Sequence, residues 1–256
     1  MARYKIILAY DGTDFSGYQR QVSSRTVQGV VEHALREIGW TGKSVLSAGR
    51  TDTGVHARGQ VIAVDLEWSH SSGQLQNAMN AYLPVDVAVR SVTPVPVEFH
   101  PRYSARARRY CYRLFCDGTR HPLRERYAWR VWPVVSLTSL QVSASYLLGI
   151  HDFAALGTPP KKGGSTIREI LYADWKEDAG DLLFEIVGNA FLFRMVRRMV
   201  SLQVEIGQGR RLPEDILDLL ESGVASPIEG LAPAKGLTLV EVLYPSGSGR
   251  HDNHTE

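Results

Sequence analysis

Apolar and polar positions change period along this chain in an ordered way. Residues 4–9 (Tyr-Lys-Ile-Ile-Leu-Ala) read as a strand. Residues 26–38 read as a helix opened by Ser24 or Thr26, because Val27, Val30, Val31, Ala34 and Leu35 recur at helical spacing. Residues 43–48 and 60–68 are the next two expected strands, and the second alternates Val61, Ala63 and Asp65 against Ile62, Val64 and Leu66. A helix over 73–83, closed by Pro84, and a strand over 87–95 follow. The order is β-α-β-β-α-β, which is that of a ferredoxin-like or RNA-recognition half.

The second part of the chain repeats the order without repeating the residues. Strands are expected at 105–115, 166–175, 182–187 and 237–243, with helices at 137–148 and 190–206. An added helix at 213–221, an added short strand at 127–131 and a mobile loop at 158–165, carrying Pro159, Pro160, Gly163 and Gly164, interrupt it. The expected fold is α+β: two such halves form one broad, mainly antiparallel sheet with helices on one face and a central cleft. Residues 1–100 make the first half, 101–245 the second, and 246–256 a disordered tail.

Composition narrows the function classes. The chain has 256 residues, 44% hydrophobic and 22% charged, which suits a globular protein. Its first ten residues are too short an apolar run for a signal peptide, and no segment reaches a membrane-spanning length, so the expected setting is the cytoplasm. Cys111 and Cys116 lie five apart in an expected strand, on opposite faces, and read as reduced thiols. The eight histidines show no ligand spacing, no metal site is expected, and no phosphate-binding glycine motif calls for a nucleotide cofactor.

A net charge of +2 says little, but its distribution says more. Nine arginines stand between Arg102 and Arg130 against only Asp117 and Glu125, with Tyr103, Tyr110, Tyr112, Tyr127 and Trp129 interleaved; Arg194, Arg197 and Arg198 form a second cluster beside Phe193. Solvated charge alone would explain either run. Guanidinium groups for phosphates together with aromatic faces for unpaired bases make nucleic acid the leading partner.

One loop concentrates chemistry. Ala48-Gly49-Arg50-Thr51-Asp52-Thr53-Gly54-Val55-His56 joins the second and third strands. Turn geometry alone would account for Gly49, Thr51, Asp52 and Gly54. A cation, two hydroxyls, a carboxylate and an imidazole in seven residues exceed what a turn requires, and Asp52 becomes the candidate catalytic carboxylate.

This segment resembles the G-R-T-D-x-G-V-H-A signature of the TruA family of tRNA pseudouridine synthases. The resemblance continues in order through Tyr10-Asp11-Gly12, Gly17-Tyr18-Gln19-Arg20-Gln21, Thr26-Val27-Gln28, Asn77 to Pro84, Phe99-His100-Pro101-Arg102, Ala107-Arg108-Arg109-Tyr110-Cys111-Tyr112, Gly149-Ile150-His151-Asp152-Phe153, Asn189-Ala190-Phe191-Leu192, Met195-Val196-Arg197 and Gly236-Leu237-Thr238-Leu239. It implies an isomerase that turns uridine into pseudouridine at positions 38, 39 and 40 of the tRNA anticodon stem-loop, with no cofactor. Asp52 would be the catalytic nucleophile or base, adding to C1′ or removing the C2′ proton. Arg197 would be the cation beside it, Tyr110 and Leu237 would hold the uracil, and Arg50 would hold the loop or the displaced RNA. His56 is expected to be structural, and His151 and Asp152 to serve packing or a dimer contact. The resemblance further implies a homodimer with tRNA touching both subunits.

Three positions depart from the pattern: Tyr18 for a common tryptophan, Thr53 for a common alanine and Ser201 for a common glycine. Thr53 could add a hydrogen bond to the Asp52 carboxylate. Two rival classes are a non-catalytic RNA-binding protein, which needs no carboxylate among phosphates, and a glycoside-cleaving enzyme, which calls for a second acid that the matched motifs do not offer.

Overall fold

The computed structural model describes residues 1–222 and 227–245, so the tail expected to be disordered, 246–256, lies outside the described residues. Among the described residues ten strands and five α-helices alternate in an α+β architecture whose strands pair mostly antiparallel. The chain divides into two compact units, Met1–Arg106 together with the chain from Leu239 onward, and Ala107–Thr238.

The first unit runs β1 (Ala2–Tyr10), α1 (Val27–Glu37), β2 (Leu46–Ser47), β3 (His56–Leu66), α2 (Ser72–Tyr82) and β4 (Val87–Val95). Strand β1 lies between β4 and β3, antiparallel to both, and β2 pairs with β3. Alternation along β1 buries Tyr4, Ile6, Leu8 and Tyr10, and Val31, Leu35, Leu75 and Met79 of the helices are buried with them. Helix α1 starts where the Thr26 hydroxyl accepts from the Gly29 N–H at 3.3 Å, and α2 starts with a capping box of Ser71 and Gln74.

Strand β2 is much shorter than the expected 43–48. The backbone there is claimed by α1: Val45 donates its N–H to Glu32 Oε1 at 3.2 Å, and Ser44 Oγ accepts from Gln28 Nε2 at 2.8 Å. Glu32 is fully buried yet well paired, taking Arg20 at 2.6 Å and Gln28 at 2.8 Å as well. At the other end of this hairpin β3 begins at His56, four residues before the expected Gln60.

The second unit holds β5 (Ala107–Cys116), β6 (Trp129–Val131), α3 (Leu137–Ser145), β7 (Gly149–Asp152), β8 (Ile167–Asp178), β9 (Asp181–Gly188), α4 (Met195–Gly207) and α5 (Asp215–Glu221), and reaches into β10 (Leu237–Leu243). Its strand order is β5-β9-β8-β7, with β6 parallel to β5. A polar pin crosses its core: Trp175, stacked on Phe184 at 5.1 Å, donates its indole N–H to the fully buried Gln203 Oε1 at 2.7 Å. Cys111 and Cys116 are free thiols.

In the second unit two further elements differ from expectation. The helix expected over 190–206 begins at Met195, because Arg194 adopts a left-handed backbone (φ 63°) and Phe193 exchanges backbone hydrogen bonds with Thr158 at 2.9 and 3.3 Å. Residues 149–152 form the unforeseen strand β7 against β8; four residues are too few to show a period of two. No helix among the described residues is long and apolar enough to cross a membrane.

Candidate active site

Asp52 sits in a loop clamped on almost every side by residues 10–18. Tyr10 Oη and Thr51 Oγ1 share a buried hydrogen bond of 2.9 Å. The Thr51 carbonyl accepts from Tyr18 N–H at 3.0 Å, and the Phe15 carbonyl accepts from Gly54 N–H at 3.3 Å. Gln60, fully buried at the next strand, donates to the Gly49 carbonyl at 3.1 Å. Val55 N–H closes the turn onto the Asp52 carbonyl at 3.1 Å, with Gly54 at φ 76°.

Two glycines make the clamp close. A β-carbon on Gly12 would stand 2.1 Å from the Val55 carbonyl oxygen, and one on Gly17, itself at φ 91°, would stand 3.0 Å from the Thr51 carbonyl oxygen. The clamping segment is anchored in turn. Arg25 lies 4.0 Å over the Phe15 ring and makes two bonds to Asp86 at 2.7 and 2.8 Å, while Asp11 N–H donates to the Asp86 carbonyl at 3.0 Å. His56 belongs to the same frame: its buried Nδ1 accepts the Gly12 N–H at 2.9 Å. A nitrogen that accepts there cannot also donate, so its 3.2 Å approach to Asp11 is a close contact and not an ion pair. The structural reading of His56 agrees with this geometry.

The Asp52 side chain is half-buried at the head of this frame, and Arg50 is exposed, its side chain making no hydrogen bond or ion pair among the described residues. Thr53 is exposed as well, and its hydroxyl makes no hydrogen bond among the described residues. The hydrogen bond expected from Thr53 to the Asp52 carboxylate is therefore absent, because the tight turn faces Thr53 outward.

In the second unit, Tyr110 lies in β5 opposite Ile186 of β9, half-buried, with the Phe191 ring edge-on at 5.2 Å. Arg197 is in the first turn of α4. Its Nε donates to the Ala232 carbonyl at 2.7 Å, and Ala232 N–H returns a bond to the Arg197 carbonyl at 3.2 Å. From there the chain presses onto β5: Tyr112 Oη donates to the Pro233 carbonyl at 2.8 Å, and a β-carbon on Gly236 would stand 2.6 Å from the Tyr112 ring. Leu237 follows at once and is buried. The structure thus brings Arg197, the 232–237 segment and β5 together, with Tyr110 and Tyr112 on one face of the strand.

Tyr112 had no assigned role in the sequence, although its two-residue spacing from Tyr110 was the available signal. Burial pushes its hydroxyl pKa up, and the charge of Arg197 partly opposes this.

Part of the arginine-rich run serves the fold. Arg113 and Arg124 both engage the buried Asp181, at 2.8 and 2.9 Å, Arg130 pairs with Glu125 at 3.2 Å, and Arg108 donates to the Asn189 carbonyl at 2.7 Å. Among the described residues no three His, Cys, Asp or Glu side chains converge as a metal site.

Comparison with known proteins identifies the family. Residues 6–104 and 143–245 match a family described as tRNA pseudouridine synthase. The chain belongs to that family. Its members are isomerases. It is 38% identical over 251 residues to tRNA pseudouridine synthase A of Limosilactobacillus fermentum, covering 96% of this chain and 97% of the relative. It is 41% identical over 244 residues to that of Geobacillus kaustophilus, covering 94% of each. A solved structure titled Cbf5-Nop10-Gar1 complex is similar at TM-score 0.36 and 12% identity, over 78% of this chain and 45% of that one.

Proposed function

We propose that this enzyme isomerises uridine to pseudouridine at positions 38, 39 and 40 of the tRNA anticodon stem-loop, with Asp52 as its catalytic carboxylate. The observation that carries the reading is the loop itself. A carboxylate lies in the family's signature, and the backbone on both sides of it is fixed by hydrogen bonds and two glycine contacts.

The reaction breaks the bond from C1′ to N1, turns the uracil over while it is held, and forms a bond from C1′ to C5. The C5 proton is released, N1 gains one, and no redox partner is required. An ionised Asp52 starts it by adding to C1′ or by taking the C2′ proton. Arg197 supplies the positive charge that the motif resemblance assigns to the reaction. Tyr110 and Leu237 replace the stacking the uracil loses when it leaves the RNA. Arg50, exposed beside Asp52, holds the loop or the displaced RNA. The enzyme works in the cytoplasm as a homodimer. These roles rest on the motif resemblance together with the local settings described above.

Unmodified tRNA tritiated at uracil C5 tests the reading. The wild type is expected to release tritium and Asp52→Asn to release none. No release by the wild type would sink the activity, and equal release by both would remove Asp52 from it.

A further inference from the structure

Tyr103 stands out among the side chains that the reaction does not use. It is 77% exposed, on the loop that follows β4, although a tyrosine ring is a large apolar surface to leave in water. A mobile loop would make that exposure unremarkable. This loop is instead built from below.

The imidazole of His100 accepts the backbone N–H groups of both Arg102, at 3.1 Å, and Tyr103, at 3.4 Å, through the one nitrogen Nδ1. His100 and Ser104 are bonded in both directions: His100 N–H donates to Ser104 Oγ at 3.1 Å, and Ser104 N–H donates to the His100 carbonyl at 2.9 Å. Below them the Pro101 carbonyl accepts from Tyr244 Oη at 2.8 Å, the Tyr244 ring packs on Phe99 at 5.2 Å, and Arg3 donates to the Phe99 carbonyl at 3.1 Å. These anchors fix the loop and still leave Tyr103 exposed. The His100 ring packs against the Tyr103 ring with centroids 4.4 Å apart and planes tilted by 39°, and the Arg102 guanidinium lies over the ring 5.8 Å from its centroid.

A rigid, exposed aromatic ring with a guanidinium close by has the chemistry that binds an unpaired base with its phosphate. Stacking on tyrosine is tolerant of base identity, and the conformational cost of ordering the platform is met before the RNA arrives. We infer that Tyr103 is a stacking platform for an unpaired nucleobase of the RNA substrate, separate from the uridine that reacts. The inference rests on the reading of this chain as a tRNA pseudouridine synthase. Phe193 is also held by backbone hydrogen bonds, to Thr158, and has Arg194 over its ring at 4.7 Å, but it is less exposed than Tyr103, at 52%.

The test uses the full chain and an unmodified tRNA transcript, with retention of tRNA on filters and C5 tritium release read on the same preparation. Tyr103→Ala is expected to raise the Kd and KM for tRNA about tenfold, with the loss in KM and not in kcat, and Tyr103→Phe is expected to stay within about twofold of wild type. The slope of log Kd against log salt is expected to be the same for Tyr103→Ala and wild type, because a stacking contact releases no counterions. Equal tRNA affinity for wild type and Tyr103→Ala would overturn the inference while leaving the activity standing. So would a Phe variant as weak as the Ala variant, which would assign the effect to the hydroxyl. A change in oligomeric state with no change in tRNA affinity would assign the ring to a protein contact, and also overturns it. Failure of tritium release by the wild type would show separately, as failure of the activity.

Discussion

Gly12 meets the Val55 carbonyl so closely that a β-carbon would stand 2.1 Å from its oxygen, and the Gly12 N–H is meanwhile bonded to His56 Nδ1 at 2.9 Å. The end of β1 and the far side of the Asp52 turn are thus fixed to each other by backbone, which cannot yield as a flexible side chain can. Gly12→Ala is expected to lower the thermal midpoint by an amount corresponding to about 2–3 kcal/mol and to reduce tritium-release kcat at least about tenfold, since overpacking at a fixed backbone moves the carboxylate. Unchanged kcat with a lowered midpoint would show that the clamp serves stability only.

The Tyr10 and Thr51 hydroxyls satisfy each other in a buried place, so removing one should cost more than removing both. Tyr10→Phe is expected to destabilise by about 1–2 kcal/mol, because the Thr51 hydroxyl is left unpaired away from water. Adding Thr51→Val should recover part of that loss. Additive effects in urea unfolding of the two single variants and the double would show that the bond contributes nothing of its own.

Arg197 carries both a structural bond, to the Ala232 carbonyl, and a proposed electrostatic role. Lysine keeps the charge and loses the planar fork, so Arg197→Lys is expected to fold with a loss of about 1 kcal/mol yet to lose about 10–100-fold in kcat. Near-normal turnover would take Arg197 out of the reaction.

Burial lowers the pKa of His100 and outweighs an opposing backbone hydrogen bond, and the nearby charges of Arg3 and Arg102 add smaller pushes in the same direction as burial. A folded pKa below the unfolded value means that the unfolded chain takes up the proton first. The stability His100 contributes is therefore full above its unfolded pKa of about 6.5 and is lost as pH falls through the lower folded value. Urea midpoints measured from pH 8 to 5 should fall more steeply for wild type than for His100→Asn. Parallel curves would show that the Nδ1 bonds to Arg102 and Tyr103 do not depend on the neutral ring.

The legible parts of this chain were those whose signal is local. The strand over 87–95 and the helix ending near Pro84 were readable because period and breaker lie within one element. The start of α4 was not, since the reason it waits for Met195 is a bond partner, Thr158, far away in sequence. In the same way the short β2 depends on the side chains of Gln28 and Glu32, which take backbone and hydroxyl groups that a strand would otherwise present. The arginines between Arg102 and Arg130 looked alike in sequence, yet Arg113 and Arg124 share Asp181 while other members of the run face outward.

Sequence by itself determined most of the order of elements, β7 excepted, and the position of the polar loop with its carboxylate, because periodicity and motif spacing are properties of neighbouring residues. Only the tertiary structure decided how that loop is held: by Gly12 and Gly17, whose missing β-carbons let two backbones touch, and by Tyr10, Tyr18 and Gln60, whose partners arrive from other strands and turns. A hydrogen bond between residues dozens of positions apart leaves no periodic trace in the chain. It exists only once the sheet has fixed which ends meet.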